Sequence, residues 1–242
     1  MLGDGGGVGG GGVGGDRTDV ELSDLYGTPA VVWRPGPGWR MLSSSVLGGG
    51  MGPRGWVLNA QVPLTYDRTD PAVHLGELAA ARNLEGPGVG MLTAASVRHY
   101  VHVREEGVRV TATVGLSVPT WAAGYGPEPR TLRAPGPGTV NIIAALPVPL
   151  DDAALVNAVI TTTEAKTQAL WEAGFACTGT ASDAVCLAAP ETGAPAALFC
   201  GPRSQWGARL ARAVHTAVLR GAVAWRERRL DRTDVPPARS PA

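Results

Sequence analysis

Lysine is almost missing from this chain: Lys166 is the single example in 242 residues, and the other twenty of its twenty-one cationic side chains are arginines. On a solvated surface the two residues exchange freely, but a compact ammonium with a tunable pKa cannot be replaced by a planar, permanently charged fork. The position where the ammonium persists is therefore a candidate for chemistry. Net charge is missing as well, since 21 basic residues balance 21 acidic ones. That removes the electrostatic footprint of a polyanion binder, and no nucleic-acid partner is expected. No apolar run is long enough to span a bilayer and the N-terminus shows no basic-then-apolar leader, so no membrane partner is expected and the cytoplasm is the expected compartment. Cysteine is scarce, and Cys177, Cys186 and Cys200 form no CxxC pair and have no neighbouring histidine. This argues against a disulfide framework or a zinc site and leaves reduced, mostly buried thiols. His99 and His102, three apart on an expected strand, should face opposite ways, so no metal site is expected.

Glycine, by contrast, is abundant, with 34 residues, and the run Gly5–Gly12, broken only by Val8, has nothing to bury. Residues 1–24 are expected to form a disordered tail, residues 226–242 a second one, and residues 25–225 a single domain. Within that domain β-rich runs occur at Pro29–Arg34, Trp39–Ser43, Trp56–Val62, Val97–Arg104, Val108–Gly115 and Val140–Leu146. Shorter apolar runs occupy Val89–Leu92 and Val185–Ala188. Glu105-Glu106-Gly107 between two alternating runs predicts a hairpin. Helices are predicted at Pro71–Asn83, Asp151–Ala173 and Ser204–Trp225, the second opened by Asp151-Asp152 and stopped by Gly174. Strands and helices do not alternate strictly, so the expected class is α+β, with a mixed, largely antiparallel sheet and segregated helices.

At 100° per residue the second helix places Leu155, Val159, Lys166 and Leu170 on one stripe, with Asn157, Thr161, Glu164 and Gln168 on the opposite side. Two readings of Lys166 stay open: it serves a reaction, or it pairs with a buried carboxylate and holds two elements together. After the helix comes Cys177-Thr178-Gly179-Thr180-Ala181-Ser182-Asp183, a loop rich in hydroxyls and backbone N–H groups, with Asp183 available as base or acceptor. A returning loop of this kind could bring Lys166, Glu164 and Asp183 toward one cavity. Gly48-Gly49-Gly50-Met51-Gly52 and Gly86-Pro87-Gly88-Val89-Gly90 lack the context of nucleotide-binding fingerprints and read as flexible turns.

Several separated blocks share an order and spacing that is specific in combination: Leu42-Ser43-Ser44 with the glycines after it, Trp56-Val57-Leu58-Asn59, Gly88 through Thr93-Ala94-Ala95, Gly138-Thr139-Val140-Asn141, Asn157 through Thr163-Glu164-Ala165-Lys166-Thr167, and Thr178-Gly179-Thr180 through Asp183-Ala184. On these blocks residues 41–210 resemble the adenosylcobinamide amidohydrolase family. Gly48 stands where that family tends to have asparagine, and Gly115-Leu116-Ser117-Val118-Pro119 stands where many members carry Gly-Val-Ser-Asn. The resemblance implies hydrolysis of the aminopropanol amide of a small-molecule corrinoid, adenosylcobinamide, to adenosylcobyric acid, with no protein-bound cofactor. It points to Glu164, Lys166 and Asp183 as catalytic groups: Glu164 or Asp183 as base on water, Lys166 as oxyanion stabiliser or acid. Asn59, Thr93, Asn141, Asn157, Thr178 and Thr180 would position the substrate. Thr139, entering a strand after Pro137-Gly138, is a less favoured candidate nucleophile. A non-catalytic corrinoid-binding or carrier protein is the rival reading. A homo-oligomer is compatible with the sequence.

Overall fold

The computed structural model describes residues 20–124 and 138–233. Ten strands and three helices follow in the order β1 (Val20–Leu25), β2 (Thr28–Trp33), β3 (Trp39–Ser43), β4 (Gly50–Pro53), β5 (Val57–Gln61), α1 (Pro71–Ala80), β6 (Val89–Thr93), β7 (Val101–Glu105), β8 (Val108–Gly115), β9 (Thr139–Ala145), α2 (Asp152–Glu172), β10 (Ala184–Pro190) and α3 (Gln205–Thr233). The α+β class is as expected, but the strands divide between two sheets. One has the order β1-β2-β5-β6 and the other β4-β3-β10-β9-β8-β7. Each sheet contains one parallel pair, β5 with β6 and β9 with β10, and is otherwise antiparallel.

The layers follow from which side of each strand is apolar. Ala30, Val32, Leu58 and Ala60 face α1 through Leu75 and Ala79. On the other side of the same sheet Trp33, Val57, Val89 and Met91 meet Met41, Ile143, Ala145 and Cys186 of the larger sheet. The larger sheet's far face carries Val110, Ala112, Ile142 and Leu187 against Leu155, Leu170, Leu210 and Val214 of α2 and α3. The order of layers is helix, sheet, sheet, helix pair. β9 is buried along its whole length, as a central strand covered on both faces must be.

Four stretches differ in kind from the sequence reading, and α1 ends at Ala80 rather than Asn83. Val20–Asp24, expected in the N-terminal tail, belong to β1, because Tyr26-Gly27 turn the chain with positive φ and β1 pairs along β2. The remainder of that tail, residues 1–19, lies outside the described residues. Gly50–Pro53, read as a flexible turn, pairs with β3. Val97–Arg104 begins with a 3-10 turn at Val97–His99 before β7 starts. At the C-terminal end α3 continues past Trp225 to Thr233, so the tail expected from 226 is helical at its start. Arginine supports helix well, and Arg226 donates to the Ala173 carbonyl at the end of α2 (2.8 Å) while Trp225 packs edge-on against Phe175. Residues 234–242 lie outside the described residues.

Candidate active site

α2 is capped by Asp151, whose side chain accepts from Ala154 N, and the helix packs on the larger sheet, whose central strands are β9 and β10. Lys166 lies on its sheet-facing side at 8% exposure. Its Nζ donates to Asp183 Oδ2 at 2.6 Å. Asp183 immediately precedes β10 and accepts three more hydrogen bonds: from Val140 N (2.9 Å), Thr180 N (3.1 Å) and the Thr180 hydroxyl. A carboxylate offers about four lone-pair sites, and all of them are engaged. Asp183 therefore holds the ammonium and the 178–180 turn in place, with no acceptor site left for a water proton.

Gly179 makes this approach possible. A Cβ at residue 179 would lie 2.2 Å from Asp183 Oδ2 and 2.6 Å from Lys166 Nζ, so any side chain there collides with the pair. The turn is clamped from the other side by the strand leaving β8: Thr120 N donates to Gly179 O (2.8 Å), Thr178 N to Thr120 O (3.1 Å) and Ala122 N to the Thr178 hydroxyl (2.8 Å). Beside Asp183, the Ser182 hydroxyl contacts Thr139 Oγ1 at 2.8 Å and donates to Gly138 O at 3.2 Å. Cys177 also lies beside the pair. Its thiol is pushed up chiefly by burial, which disfavours the thiolate. Burial pushes Cys186 to about 12 and Cys200 to about 11.

The structure brings together Lys166, Asp183, Thr178 and Thr180 from the set read in the sequence. Glu164 is exposed on the outer side of α2, about 200° around the helix from Lys166. Asn59, Thr93 and Asn141 are elsewhere, 2%, 1% and 1% exposed between the two sheets. There Asn59 Nδ2 donates to Thr113 Oγ1 (3.0 Å), and Asn141 Nδ2 donates to Asn59 Oδ1 (2.9 Å) and Leu92 O (3.0 Å). Thr93 Oγ1 accepts from Ala95 N (3.1 Å) and shapes the turn after β6. Asn157 lies nine residues before Lys166, about 13 Å along the helix, and its Oδ1 accepts from Cys200 N (3.1 Å). Thr120 and Ser182 were missed as parts of the site because each is an ordinary turn residue until β9 and β10 are placed side by side.

A cleft of about 710 Å³ opens at the ends of β5, β6 and β8, lined in part by Gln61, Ser96, His99, Ser117 and Arg228. It adjoins the cluster through the backbone, because Gly115 pairs with Thr139 across β8 and β9. A Cβ on Gly138 would lie 2.8 Å from Gly115 O and 3.0 Å from Ser117 N. His99 is held below its usual pKa by burial and by the Arg228 charge, which favours the neutral ring. Among the described residues no group of histidine, cysteine and carboxylate side chains has metal-binding geometry, and no helix is long and apolar enough to cross a membrane.

A profile of the adenosylcobinamide amidohydrolase family matches residues 16–230. The chain belongs to that family. It is 32% identical over 145 residues to the adenosylcobinamide amidohydrolase of Methanosarcina mazei, covering 60% of this chain and 67% of that protein. It is 42% identical over 133 residues to the protein of the same name from Halobacterium salinarum, covering 53% of this chain and 55% of that one. As a member of this family the chain is an enzyme, an amidohydrolase acting on a non-peptide C–N bond.

Proposed function

We propose that this enzyme hydrolyses the amide joining the aminopropanol arm to the corrin periphery of adenosylcobinamide, releasing aminopropanol and adenosylcobyric acid for reuse in cobalamin salvage. One observation carries the reading to these residues: in a family member, the sole lysine of the chain is buried against a fully engaged aspartate on a turn that only glycine can form. Amide hydrolysis needs a donor for the developing oxyanion, a proton for the departing amine and an attacking group. Lys166 supplies the first and, by giving up its proton, the second. Asp183 orients the ammonium, and Thr178 and Thr180 form the polar wall of the site. Asn59, Thr93, Asn141 and Asn157 support it through the packing of sheets and loops. Glu164 has no part in this scheme.

For the attack, water is the simplest agent, and the proton it loses replaces the one Lys166 gives to the departing amine. The Thr139–Ser182 hydroxyl contact favours a second reading, in which Thr139 Oγ1 adds to the carbonyl. Aminopropanol then leaves with a proton from Lys166, which the proton released from the Thr139 hydroxyl replaces, and water cleaves the resulting corrinoid ester. Incubating the purified chain with adenosylcobinamide, without added metal or nucleotide, and following the products by liquid chromatography and mass spectrometry tests the main reading. Adenosylcobyric acid and aminopropanol in equal amounts are expected. A corrinoid that stays bound and unhydrolysed would sink the hydrolase assignment in favour of a binding protein. A corrinoid-mass adduct on the Thr139 peptide would decide for the second route.

A further inference from the structure

The cleft beside the Lys166–Asp183 cluster has a lining that the hydrolytic scheme does not use. At about 710 Å³ it is within the range of small-molecule sites, about 300 to 1,000 Å³. Its polar groups are biased toward donors. The guanidinium of Arg228, the His99 ring and the hydroxyls of Ser96 and Ser117 line it, together with apolar surface from Trp225, and no aspartate or glutamate is among the described residues of the lining. Gln61 belongs to the same set: its Oε1 accepts from Val97 N at 3.1 Å, which fixes the amide and leaves its NH2 as the group it can offer. A donor-rich, carboxylate-free surface suits a ligand edged with carbonyl oxygens, because guanidinium and hydroxyl donors are matched only by acceptors. Its neighbourhood is also appropriate. Gly115 and Ser117 touch the Gly138–Thr139 corner, and Ser182 links that corner to Asp183 and Lys166.

We infer that this cleft is the corrinoid-binding subsite, where Arg228, Ser96, Ser117 and Gln61 hold carboxamide carbonyls of the macrocycle's rim while the scissile arm reaches toward Lys166. The inference rests on the amidohydrolase reading for the identity of the ligand, but not for the existence of the subsite. The experiment is a visible-absorbance titration of the full chain with adenosylcobyric acid, the corrinoid product of the hydrolysis, alongside steady-state kinetics on adenosylcobinamide. Arg228→Ala, on an exposed stretch of α3, is expected to weaken product binding roughly tenfold, the loss of one hydrogen bond to a charged donor. KM should rise in proportion, with kcat within about twofold of the parent. Ser117→Ala provides a second, smaller probe if Arg228→Ala melts early. Parental affinity and KM in both variants would overturn the subsite. Corrinoid binding that depends on Arg228 in a protein without turnover would keep the subsite and remove the hydrolase reading. A parent chain that neither binds nor hydrolyses any corrinoid would remove both.

Discussion

Two buried polar clusters sit within one molecule and are built on opposite plans. Between the sheets, Asn59, Thr113 and Asn141 are neutral, almost wholly enclosed and bonded chiefly to each other, with only Asn141 Oδ1 lacking a partner. On the helix side, Lys166 and Asp183 are charged, keep about a tenth of their side-chain surface open, and are surrounded by hydroxyls and by a turn clamped from two strands. The first arrangement fixes how one sheet sits on the other, since a buried amide is costly in any register that separates it from its partners. The second keeps an ammonium in place with part of its surface open. Burial of polar groups alone does not mark a catalytic centre; what separates the two clusters is charge, residual access and a glycine that admits nothing larger.

That contrast can be broken most forcefully at Lys166. Lys166→Met should lower kcat/KM by about 10³-fold, the scale for loss of an oxyanion donor, while urea unfolding remains cooperative. Activity at the parental level would place Lys166 with the structural cluster. Gly179→Ala comes next. Its Cβ would collide with both members of the pair, so a rate loss of about 10²-fold is expected together with a stability loss of about 1–3 kcal/mol, the range for overpacking. Kinetics and urea midpoints on the same preparation measure the two. Asn141→Ala should behave in the reverse way, losing about 1–3 kcal/mol through the stranded Asn59 oxygen, with kcat within about threefold of the parent. A collapse of kcat at unchanged stability would join the two clusters into one site. The smallest effect is expected from Glu164→Gln, with kcat/KM within about twofold at every pH assayed. A lost limb in its pH–rate profile would restore Glu164 as the base.

Local pattern carried much of the architecture. β3 and β8 have the limits read from the sequence, the Glu105–Gly107 hairpin is present, and α2 opens at Asp151 and closes before Gly174. Elements with weak local signals were lost. β4 is half glycine and ends in proline, so it depends on the edge that β3 offers it, and β1 was hidden by its proximity to the glycine run. The split into two sheets was equally invisible, since alternation says that a strand has a buried face but not which sheet covers it. At the site, Lys166 was legible from residue usage and Asp183 from the loop that contains it. Glu164 was read on the face opposite Lys166, and the returning loop, expected to bring the two toward one cavity, packs against the Lys166 face alone.

The order of strands in the larger sheet has a kinetic consequence. β10 is inserted between β3 and β9, although it is the last strand among the described residues and β3 is among the first. The β3–β4 hairpin and the β7-β8-β9 meander can each form from near neighbours, but the strand that joins them arrives only with residues 184–190. Contacts of such long sequence separation slow folding. Asp183 sits at the leading end of that joining strand and accepts from Val140 N, so the seating of β10 beside β9 and the fixing of the carboxylate that faces Lys166 are one event.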